Sequence, residues 1–152
     1  MANPVQKASR IAVSTPTIAV GSVIPLALNL AAILLGGVGR LTESDAAIGF
    51  VGYAGLLLIF IAGARFGHGM RVNGASGVAV ASAAAAAALS SLYLPAQIAA
   101  GVLAAALAGH GAWDVWSADR AQLPAWYGRL RLQTTLVAVP LLAVGVFALE
   151  GI

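Results

Sequence analysis

His110 and Asp114 stand four residues apart, a spacing that places both side chains on one face of a helix. A carboxylate so placed can orient an imidazole, as a general-base pair or a proton relay requires. Arg65 and His68 end an earlier apolar segment and complete a candidate polar cluster of Arg65, His68, His110 and Asp114. Asp114 also has a plainer use. By pairing with Arg65 or a loop arginine it would lock two helices together, and charges inside a membrane are usually paired. His68 and His110 are the only histidines. On different helices they could ligate a haem iron. However, His110 lies about six residues inside its segment and His68 at the end of its own, a depth difference of roughly 9 Å. Metal binding by His68, His110 and Asp114 is the weaker reading, and no cofactor is expected.

A second group lies in Leu123-Pro124-Ala125-Trp126-Tyr127-Gly128-Arg129-Leu130-Arg131, where a charged loop meets the last apolar run. Trp126, Tyr127, Arg129 and Arg131 fit the level at which a membrane helix leaves the headgroups for hydrocarbon. They are candidates for contact with an anionic lipid headgroup or an acidic partner loop, or for simple interfacial anchoring.

The elements that must position these residues follow from composition. Apolar residues make up 61% of the chain and charged residues 9%, against roughly 45–50% and about 25% in soluble domains. That balance points to lipid as the solvent. There is no cysteine, so disulfides, thiolate metal sites and thiol catalysis are excluded. The net charge of +3 comes from few groups, which makes nucleic acid a poor partner. No phosphate loop, dinucleotide fingerprint, nucleophile elbow or metalloprotease motif is present.

Five apolar segments can be drawn, at about 16–38, 46–66, 77–94, 97–116 and 124–149, each near the length a bilayer core requires. The expected fold is all-α: a polytopic bundle of five transmembrane helices forming one domain over 1–152. Lys7 and Arg10 before the first segment resemble the start of a secretory signal. The apolar run continues past such a signal, is broken by Pro16 and Pro25 and carries Asn29, so an uncleaved span is expected. Pro25 removes a ladder hydrogen bond, which should kink that helix and turn its Asn29 face inward. Thr42 or Ser44 can cap the second helix, whose Gly63-Ala64-Arg65-Phe66-Gly67 is a close-packing pattern. The third segment, alanine from 83 to 88, should sit in the middle of the bundle. Pro140 falls within the fifth.

With five spans, seven basic residues share one side: Lys7, Arg10, Arg65, Arg71, Arg120, Arg129 and Arg131. Only Arg40 lies on the other. The positive-inside rule then puts the N-terminus in the cytoplasm and the C-terminus in the periplasm of a bacterial inner membrane.

The Pro124-Ala125-Trp126-Tyr127 run leading through Leu130-Arg131 into the last span resembles a domain-of-unknown-function family of small bacterial and mitochondrial inner-membrane proteins that includes transmembrane protein 69. Gly63-Ala64-Arg65-Phe66-Gly67 and Asp119-Arg120 fit the same pattern, and the resemblance covers roughly residues 50–142. It implies a five-helix inner-membrane protein and no activity. Three functions remain open. The first is an accessory or assembly component of a larger membrane complex or homo-oligomer. The second is a small carrier or channel for a neutral or weakly acidic solute, with Pro25, Asn29, Thr134, Thr135 and Pro140 along its path. The third is a membrane enzyme or proton relay using His110 and Asp114.

Overall fold

The computed structural model describes residues 15–71 and 74–152. Lys7 and Arg10, expected on the cytoplasmic side, lie outside the described residues. The described residues form five helices: α1 (Thr15–Leu34), α2 (Glu43–Arg71), α3 (Ala75–Ser91), α4 (Ala96–Asp119) and α5 (Ala125–Ala148). Four of them are long and apolar enough to cross a membrane, and α3, at 17 residues, is shorter.

The helix ends differ from the hydropathy boundaries for local reasons. α1 stops at Leu34, four residues before the expected end, because Gly36 takes a φ of +69°. That conformation lets the Gly36 and Gly37 amides bond back to Ile33 and Ala32, closing the helix in the usual glycine-terminated turn. α2 begins three residues before its apolar run. Thr42 Oγ1 accepts the Asp45 amide at 3.1 Å while Asp45 Oδ2 accepts the Thr42 amide at 3.2 Å, a reciprocal cap. At its other end α2 continues to Arg71, since polar side chains end an apolar stretch without ending a helix. α1 and α5 run unbroken through Pro25 and Pro140.

Asn29 and the Ser22 carbonyl of α1 face α2, as expected for a proline-containing helix in lipid. Asn29 Nδ2 donates to the Pro25 carbonyl at 2.8 Å and its side chain fills the space over Gly49. Tyr53 reaches back to donate to the Ser22 carbonyl at 2.7 Å.

α1, α2, α4 and α5 surround one core, in which Leu26, Phe50, Leu103 and Leu142 are fully buried. α2 and α4 pack on each other directly, whereas α2 meets α5 through side chains. The Phe50 ring crosses to occupy the space that a side chain at Gly145 would need. The alanine-rich α3 is not central. It packs on α2 and α4 alone, in the groove between them, and leaves Ala79, Ala83 and Ala86 exposed. Small side chains let α3 approach its two neighbours closely, but they give it little volume with which to fill a core; the bulky residues of α2 take that role.

Candidate functional site

α2, α4 and α5 converge at the end of the bundle that carries the α2–α3 and α4–α5 loops. Two close approaches set this geometry. A side chain at Gly111 would collide with Thr135, and one at Gly128 with Ala118, so α5 lies tightly along α4. Arg131 of α5 is thereby brought within reach of Asp114 of α4.

Asp114 is the centre of the site and is fully buried. Its Oδ2 accepts from Arg131 Nε at 2.9 Å and faces His110 Nδ1 at 3.2 Å. The Tyr127 hydroxyl reaches the same oxygen at 3.5 Å. On the other side Arg65 Nε lies 3.6 Å from Asp114 Oδ1, and Arg65 Nη2 donates to the buried Ser117 hydroxyl at 3.0 Å. Arg65 and Arg131 are only 5% and 2% exposed. One carboxylate thus holds two guanidinium groups from different helices, in an environment where an isolated charge would cost several kcal/mol. The cluster fastens α2 and α5 to α4 electrostatically, where the small residues beside it supply only close contact.

Of the four residues of the expected polar cluster, the structure joins Arg65, His110 and Asp114. His68 stands apart. Its Nε2 lies 3.1 Å from the Gln122 carbonyl and ties the end of α2 to the α4–α5 loop. That loop is held by a further constraint: Ala121 adopts a φ of +57° while the Ala121 and Gln122 amides bond to Ala118 and Ser117. This is a helix-terminating turn that glycine normally occupies, here accepted with some backbone strain. Among the described residues no three His, Asp or Glu side chains gather as metal donors would.

The Trp126, Tyr127, Arg129 and Arg131 group divides. Trp126 is 53% exposed, Arg129 is also exposed, and the two aromatic rings of Trp126 and Tyr127 meet edge to face at 5.8 Å. Tyr127 turns its hydroxyl inward, and Arg131 lies inside the bundle rather than at its surface. The reason is periodicity: Gly128 and Arg131 are three apart and share the face of α5 that packs on α4. That signal was present in the sequence, beside the more conspicuous tryptophan and the basic pair. On the outer surface Arg120 stacks over the Trp116 ring at 4.2 Å, so this arginine caps an aromatic instead of entering the cluster.

Fold and site together define a class: an all-helical bundle with the long apolar helices of an integral membrane protein, fastened at one end by a buried arginine–aspartate–arginine cluster. No protein-family model, no curated protein and no solved structure matches the chain.

Proposed function

We propose that the chain is a five-span protein of the bacterial inner membrane, N-terminus cytoplasmic and C-terminus periplasmic, serving as an accessory or assembly component of a larger membrane complex. Five spans are supported by the course of α3. It starts beside Arg65 and Gln122 at one end of the bundle and finishes beside Ala47 and Ile152 at the other. At 1.5 Å per residue its helix covers roughly 26 Å, close to the thickness of a hydrocarbon core. The Trp126–Arg131 pattern resembling the family that includes transmembrane protein 69 supports the same architecture.

The observation that carries the assembly role is the outward face of α2. Gly63 and Gly67 form a close-packing pair, yet both are exposed and have open space where a side chain would project. Phe60 beside them is 76% exposed. Such a pair admits the backbone of another helix to close contact, and no helix among the described residues uses it. Purified in gentle detergent, the wild-type protein is expected to migrate as a larger species, and Gly63→Leu to migrate as the lone chain. A wild-type protein that runs as a monomer and captures nothing from native membranes contradicts the role.

One further observation favours the proton-relay reading as second choice. Asp114 engages Nδ1 of His110, while Nε2 has no hydrogen-bond partner among the described residues. The ring lines an apolar groove of about 230 Å³ between α3 and α4, with Val80, Ala83, Ala84 and Ala106. If this pair relays protons, vesicles containing His110→Ala lose a proton flux that wild-type vesicles show under an imposed potential. Equal flux from the two removes the reading. A solute path draws less support, because Leu58, Leu103, Leu107 and Ala138 fill the bundle centre without exposure.

A further inference from the structure

The buried cluster does not balance its charge. Arg65 and Arg131 are permanently cationic, and among the described residues Asp114 is the one acidic side chain in contact with them. A surplus positive charge in a low-dielectric interior is costly unless an anion stands close. A cavity lies on the Arg65 side of the cluster. It measures about 420 Å³ and is lined by Arg65, His68, Ser76, Gly77 and Gln122 among others, with no Asp or Glu among its described lining residues.

Three features aim this cavity at an anion. Arg65 is nine-tenths buried and lines the cavity, and the one carboxylate it faces, Asp114 at 3.6 Å from its Nε, is shared with Arg131. The guanidinium packs against Gly77, where a Cβ would sit 3.4 Å from Nε, so the missing side chain lets the start of α3 come close to Arg65. Gly77 belongs to the first turn of α3. The first-turn amides of Ala75, Ser76 and Gly77 have no intrahelical acceptor, and the cap residue Gly74 offers no side chain to them. A helix start of this kind favours negative charge. His68 and Gln122 border the same space.

We propose that this cavity is a binding site for a small oxyanion, a phosphate or phosphate ester, which neutralises Arg65 and bridges it to the start of α3. The volume lies in the range of small-ligand sites. The anion can be free in solution or the headgroup of a phospholipid, because the cavity opens at the loop end of the bundle, where headgroups lie. The site is independent of any partner assembly.

Thermal unfolding of the delipidated full chain in neutral detergent tests it, with inorganic phosphate titrated against chloride at equal ionic strength. A second arm uses vesicles of phosphatidylcholine with or without phosphatidylglycerol. Stabilisation by phosphate in detergent assigns a free oxyanion; stabilisation only in phosphatidylglycerol vesicles assigns a headgroup. At a hundredfold excess over its Kd the ligand should raise Tm by roughly 5–10 °C. Gly77→Val fills the cavity against Arg65 while keeping every charge, and should abolish the response. Ser76→Glu should abolish it too, by placing a carboxylate at the site, and should raise Tm without added anion. It decides the matter if Gly77→Val does not fold. No response in either arm, or an undiminished response in Ser76→Glu, overturns the proposal.

Discussion

Alanine at Asp114 is expected to destabilise the bundle by about 3–5 kcal/mol, the cost of breaking a buried ion pair by removing one partner. The effect is large because the loss is not of one contact. Asp114 receives Arg131 at 2.9 Å and faces Arg65 at 3.6 Å and His110 at 3.2 Å. Without it, two guanidinium groups on α2 and α5 are left facing each other across a buried gap. The substitution Asp114→Asn should recover little, since an amide keeps the shape and some hydrogen bonding but not the charge. Replacing Arg65, Asp114 and Arg131 together by Met, Leu and Leu should be far milder than Asp114→Ala, because it removes the desolvated charges along with their attraction. Reversible unfolding in mixed detergent micelles measures all three. A change below about 0.5 kcal/mol for Asp114→Ala, the size of an ordinary surface substitution, would show that the cluster does not hold the helices.

The pairing of Asp114 with Arg65 or a loop arginine could be read in the sequence because an acid near the end of an apolar helix must find a cation. The share taken by Arg131 could not be read in the same way. Its neighbours Trp126, Tyr127 and Arg129 have the composition of an interfacial belt, and only the alignment of Arg131 with Gly128 on one helical face points inward. The number and order of the helices followed from hydropathy, since a solvent preference that strong leaves little freedom. The place of α3 did not. Hydropathy says that an alanine helix belongs in lipid or protein, while its position depends on volume: Phe50, Leu103 and Leu142 claim the centre and leave alanine the groove between α2 and α4. The His68–Gln122 contact was equally hidden, because it joins a side chain to a loop carbonyl whose position is set by the left-handed turn at Ala121.

The second large effect concerns topology, where labelling is expected to switch from complete to none between the two ends of the bundle. The α3–α4 loop and the C-terminus lie at one end, with exposed Tyr93 and Gly151. The α4–α5 loop, with Arg120 and exposed Ala121, lies at the other, beside Arg65 and His68 of α2. On the five-span topology proposed above, the positive-inside rule puts this arginine-rich end in the cytoplasm. If α3 did not cross, α4 and α5 would be inverted relative to α2, and the basic residues of the two loops would fall on opposite sides of the membrane.

The native chain has no cysteine, so single cysteines can report on each end without background. The decisive measurement is labelling of Tyr93→Cys, Ala121→Cys and Gly151→Cys in intact cells with a membrane-impermeant maleimide. Tyr93→Cys and Gly151→Cys are expected to react from outside, and Ala121→Cys only after the membrane is opened. Labelling of Ala121→Cys in intact cells, or of Gly151→Cys only in opened ones, would contradict a five-span protein anchored by its arginines on the cytoplasmic face.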